Sequence, residues 1–140
     1  MVDIYVHYEG GLHCTAKHGP SDSTFATDAP VDNHGRGESF SPTDLVATAL
    51  GTCMVTTMGI AALKENWVLD GIGVHVKKEM TKELPRKIAR LPTVMSVPNA
   101  IASDLDAAAR AKLENIAHNC PVRLSLHPTI EVPITFRWGS

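Results

Sequence analysis

The sequence predicts an α+β fold with mainly antiparallel sheets packed around a long central helix that carries Cys53. Three observations lead there. Segments of β-type residues lie near both ends of the chain, at 2–8 and 129–138. A 19-residue stretch from Leu45 to Leu63 has no formal charge and reads as a helix. Strand and helix signals do not alternate one for one, so the expected order is ββ, long loop, α, ββ, α, β. At 140 residues the chain is sized for a single domain over residues 1–140.

Each element has a local reason. Val2 to Tyr8 is rich in β-branched and aromatic residues, Gly10-Gly11 turns the chain, and Leu12 to Lys17 returns as the second strand of a hairpin. From Gly19 to Phe40 the chain reads as a long loop of Gly, Ser, Asp, Asn and Pro, with a short strand near Thr24-Phe25-Ala26. The first helix has a well-marked start. Ser41 suits the N-cap, Pro42 the first helical position and Asp44 the third, where its carboxylate reaches back and favours the dipole. This helix is expected to run to about Glu65-Asn66. Extended segments follow at Ile72–Met80 and Ile88–Val97. A second helix opens at Ser103-Asp104 and ends by Asn119-Cys120, because Pro121 forces the preceding residue out of the α region. In the last strand, Thr129 to Trp138, Pro133 implies an edge or a bulge.

Composition removes some function classes. Net charge is −2 with His neutral, so no basic excess points to nucleic acid or an anionic membrane. The N-terminus lacks the charged and apolar regions of a signal peptide. Leu45–Leu63 approaches the length of a membrane span, but four threonines and two glycines make it weakly hydrophobic, and a buried central helix is the reading adopted. Three cysteines, an odd number, suit a reduced, cytoplasmic protein better than a disulfide scaffold. Seven histidines show no HExxH or CxxC spacing, so no metal is expected; neither GxGxxG nor a P-loop is present, so no cofactor is expected.

Two of the thiols occupy informative positions. Cys53 lies mid-helix, with Ala49 and Leu50 on one side of its face and Thr56 and Thr57 on the other. That neighbourhood suits either a small core residue or a thiol within reach of hydroxyls. Cys120 continues the stripe Leu105, Ala109, Leu113, Ile116, at the C-terminal end of the second helix, where partial negative charge disfavours a thiolate. It is the poorer first nucleophile of the two. Cys53 sits too far into its helix for the N-terminal dipole to help, so a reactive thiolate there needs a cation. Arg36, in the loop before the helix, is the candidate, with Glu38 or Asp44 to hold its guanidinium. The plain alternative for Arg36 is a solvated loop charge. Gly51 and Gly59 make a low-profile helix face that invites close approach by another backbone element. Cys14, in the hairpin, is read as structural or incidental.

The run Gly35-Arg36-Gly37-Glu38-Ser39-Phe40-Ser41-Pro42-Thr43-Asp44-Leu45, leading to Cys53, resembles the helix start and cysteine of the OsmC/Ohr family, the osmotically inducible and organic hydroperoxide resistance proteins. Ala117-His118-Asn119-Cys120-Pro121-Val122 is similar to that family's second cysteine motif, and the likeness covers nearly the whole chain. The resemblance implies a single OsmC-like domain, an intertwined homodimer and a peroxiredoxin-like organic hydroperoxide reductase. In such an enzyme Cys53 becomes a sulfenic acid, Cys120 condenses with it to a disulfide, and an external dithiol restores both. The chain departs from the Ohr branch, which has a hairpin arginine and a glutamate after the proline; here stand Lys17 and Thr43. The OsmC-like branch fits better, with Arg36 matching its loop arginine. A second expectation is a non-enzymatic dimer that binds a small apolar ligand or senses oxidants.

Overall fold

The computed structural model describes residues 1–139. Its contacts divide the chain into two compact units, Met1–Val46 and the remainder from Ala47. The boundary falls inside the long helix.

The first unit is a three-stranded antiparallel meander. Strands β1 (Ile4–Gly10), β2 (His13–His18) and β3 (Thr24–Asp28) pair in chain order. The β1–β2 turn needs three successive residues at positive φ, and Gly10 and Gly11 adopt this without strain while Leu12 completes it at 61°. The short strand expected near Thr24 is thus a full member of the sheet. His13 Nδ1 lies 2.6 Å from the buried Asp28 carboxylate, tying the start of β2 to the end of β3. The loop beyond contains a 3-10 turn at Val31–Asn33.

Helix α1 (Pro42–Glu65) begins as its sequence dictates. The Asp44 N–H donates to Ser41 Oγ at 3.1 Å, and the Ser41 N–H donates back to Asp44 Oδ2 at 2.8 Å. This reciprocal pair satisfies two backbone donors that the first turn leaves without helical partners. Among the described residues α1 is the one helix long and apolar enough to cross a membrane, a property that core helices share. It is not buried all round. Ala47, Leu50, Gly51, Met54, Met58 and Ala62 form one buried stripe, whereas Ile60 and Leu63 are exposed.

The second unit holds two small sheets. Strands β4 (Gly73–Val76), β7 (Thr93–Val97) and β8 (Ile134–Trp138) form one, in the order β4-β7-β8; β5 (Glu79–Met80) and β6 (Ile88–Arg90) form the other. Both extended segments expected from sequence are therefore broken in two. Each half pairs with a different sheet. The β4–β7 and β5–β6 pairs are antiparallel, but β7 and β8 are parallel. Pro133 lies just before β8, an edge strand, where its missing N–H interrupts no ladder. Leu50, Met54, Met58, Leu91, Met95, Val97 and Leu113 are fully buried, so α1, β7 and the third helix supply the core.

The second expected helix is three. Helix α2 (Asn99–Ala102) is one turn; α3 (Ala107–His118) starts at N-cap Asp106, not at Ser103-Asp104; α4 (Pro121–Ser125) follows at once. Asp106 accepts the Ala109 N–H at 2.8 Å, a stronger start signal than Ser103, whose hydroxyl instead donates to the Ala100 carbonyl.

Candidate functional site

The second unit brings together the two thiols singled out in the sequence. Cys53 is half-buried on α1, and Cys120 is fully buried between α3 and α4; both are free. They are close enough for the Cys53 sulfur to act on the Cys120 thiol as hydrogen-bond partner and as neighbouring charge. Cys120 reaches this place because Pro121 holds it extended, at φ −65° and ψ 149°, and begins α4 at its first helical position.

The two sulfurs have different environments. Burial, the largest influence, pushes the Cys120 thiol above its ordinary value of 9.0, and Cys53 pushes it further. The backbone N–H groups of Arg123 and Val122 pull the other way. Cys53 instead has a hydroxyl beside it: Thr57 Oγ1 lies 3.9 Å from its sulfur and donates to its carbonyl oxygen at 2.6 Å.

Gly51, two residues before Cys53, lets α1 lie close on β4. A side chain there would begin 3.0 Å from Val76 Cγ2 and 3.4 Å from Val74 Cγ1. Gly59 has open space instead, so close approach holds at one glycine of the pair.

The remaining candidates lie in the first unit. Arg36 and Glu38 are exposed on the loop before α1, and Arg36 Nη2 is 3.9 Å from where a Gly11 side chain would begin. Asp44 forms the helix cap with Ser41. Cys14 pairs in register with Tyr8 and Thr27 in the meander. The Arg123 and Val122 contribution to Cys120 was not anticipated from sequence, although Pro121 after Cys120 is a signal for it: a proline that ends one helix can open the next.

The family model for OsmC-like proteins matches residues 35–135, which include both cysteines. The chain belongs to the OsmC family. Among solved structures, a protein from Psychrobacter arcticus 273-4, described as a candidate osmotic stress induced and detoxification response protein, is 37% identical with a TM-score of 0.88, over 97% of this chain and 96% of that one. The organic hydroperoxide resistance protein OsmC of Legionella pneumophila is 14% identical with a TM-score of 0.72, over 98% and 96% of the two chains. The organic hydroperoxide resistance protein OhrB of Bacillus subtilis is 18% identical with a TM-score of 0.66, over 98% of each chain. These last two similarities establish the shared α+β fold of the OsmC family. No curated protein is similar enough in sequence to count as a match.

Proposed function

We propose that this OsmC-family protein is a stress-response thiol peroxidase that reduces organic hydroperoxides through Cys53 and Cys120. The observation that carries the reading is that two thiols far apart in sequence lie near enough in the fold for Cys53 to raise the Cys120 thiol. Cys53 is the attacking thiol, because Cys120 is fully buried and held in its protonated form. The Cys53 thiolate attacks a peroxide oxygen; the S–O bond forms, the O–O bond breaks, and the alcohol leaves with a proton. Cys53 is then a sulfenic acid. Cys120 attacks that sulfur, the S–S bond forms, and the displaced hydroxide takes up the Cys120 proton to leave as water. An external dithiol reduces the disulfide and closes the cycle, so no bound cofactor takes part.

In this reading the working form is a cytoplasmic homodimer. Support for the dimer comes from β1, where Ile4, Val6 and Tyr8 alternate onto one face and are 57%, 67% and 61% exposed.

The test is loss of cumene hydroperoxide with dithiothreitol, then with a lipoyl dithiol. Cys53→Ser abolishes turnover. Cys120→Ser reduces one equivalent of peroxide and stops at the sulfenic acid, trapped with dimedone. Unchanged activity in Cys53→Ser overturns the reading; a single turnover in the intact protein, even with excess dithiol, favours an oxidant sensor instead.

A further inference from the structure

We propose that Thr57 is a positioning residue whose hydroxyl hydrogen swings from the Cys53 carbonyl to the Cys53 sulfur as that sulfur becomes charged, holding it for attack on the peroxide oxygen. The inference deepens the peroxidase reading and rests on Cys53 being the attacking thiol.

The geometry is specific. Thr57 stands one helical turn after Cys53, and its Oγ1 is 2.6 Å from the Cys53 carbonyl oxygen and 3.9 Å from the Cys53 sulfur. A hydroxyl has one hydrogen and two lone pairs. At rest the hydrogen goes to the carbonyl, so the hydroxyl faces the thiol with a lone pair and the S–H is the donor between them.

That carbonyl does not depend on the hydroxyl. As the acceptor four residues before Thr57 within α1, it also receives the helical N–H of Thr57. The hydroxyl hydrogen is therefore a second bond to a satisfied acceptor, and moving it needs only rotation about Cβ–Oγ. When the proton of Cys53 leaves to solvent, the sulfur becomes a charged acceptor, which draws a donor more strongly than a neutral carbonyl does. No covalent bond other than S–H changes in this step. The ionised sulfur then has its electron pair free for the peroxide oxygen.

Cys120 has a different neighbour. Cys53 itself raises it, while burial, the largest influence, withholds the solvent that would stabilise its charge. A hydroxyl beside one thiol and burial around the other separate their roles.

The test uses the full-length protein. Alkylation of Cys53 by iodoacetamide is followed against pH and resolved by peptide mass, so that Cys14 and Cys120 do not contribute. Thr57→Val replaces the hydroxyl with a methyl of the same shape, and Thr57→Ala serves if the valine disturbs packing. The expected result is an alkylation midpoint about one pH unit higher, and a reaction with cumene hydroperoxide at neutral pH slower by about tenfold. Thr57→Ser restores both to within about twofold, since it keeps the donor. An unchanged midpoint in the valine and alanine variants overturns the proposal. So does a serine variant shifted as far as valine, because the methyl would then be responsible. If the unmodified protein consumes no peroxide, the peroxidase reading fails while the alkylation profile still decides the role of Thr57.

Discussion

Gly51→Ala puts two known effects in opposition on the helix that carries Cys53. In a helix interior alanine is more favourable than glycine by about 1 kcal/mol, so an unobstructed site would be stabilised. Here the new methyl would begin 3.0 Å from Val76 Cγ2 and 3.4 Å from Val74 Cγ1. Carbon atoms prefer separations of about 3.5–4.0 Å, so helix and strand must part by roughly half an ångström. Overpacking of this kind costs about 1–3 kcal/mol. The net expectation is a loss of about 0–2 kcal/mol. For a chain of this size that lowers Tm by up to about 6 °C. Trimming the obstruction gives an internal control. Val76→Ala should cost less in the Gly51→Ala background than in the natural one, leaving a coupling of about 1 kcal/mol in a double-mutant cycle. Urea and thermal unfolding of the four proteins measure it. An alanine variant more stable than the parent by the full helix-propensity gain, with no coupling to Val76, would refute the close packing of α1 on β4.

Three further outcomes follow from the same structure. Cys120 binds its proton more tightly folded than unfolded, so its contribution to stability is present below its ordinary value of 9.0 and is lost as pH rises through the higher folded value. Cys120→Ala should therefore flatten the alkaline fall in the urea midpoint. Asp106→Ala removes the acceptor of the Ala109 N–H at 2.8 Å and should cost about 1 kcal/mol in thermal unfolding, with Asp106→Asn recovering most of it. Among the described residues Arg123 buries its Nε without a hydrogen-bond partner, a desolvation cost that an apolar side chain of similar length would not incur. Arg123→Met should be neutral or stabilising in Tm; a loss above about 2 kcal/mol would mean that the guanidinium holds a structural contact.

Much of this architecture was legible because it is local. Ser41, Pro42 and Asp44 define a helix start through bonds made within four residues, and those bonds form as expected. The stripe ending at Cys120 predicted a buried thiol, and Cys120 is buried. What the residues could not show depends on distant partners. Alternation marks β7 and β8 as strands but carries no information on direction, and they run parallel. The segment Ile72–Met80 reads as continuous, yet it divides between two sheets, with the Lys77 N–H donating to the Pro92 carbonyl at 2.9 Å in the gap. In sequence Pro121 marks a helix stop, while in the fold its fixed φ also starts α4 and places the N–H groups of Val122 and Arg123 where they lower the Cys120 thiol. The placement of Thr57 on the Cys53 face followed from helical spacing. Its bond to the carbonyl did not, because Thr side chains choose between two rotamers in a helix.

The central claim is that the sulfurs of Cys53 and Cys120 meet within one chain and exchange oxidation. One equivalent of cumene hydroperoxide added to the fully reduced protein, followed by alkylation and non-reducing peptide mass mapping, tests it most directly. The account predicts a Cys53–Cys120 disulfide linking peptides of a single chain, with Cys14 alkylated. Recovery of Cys53 and Cys120 as separately alkylated thiols, or of a disulfide through Cys14, would contradict it.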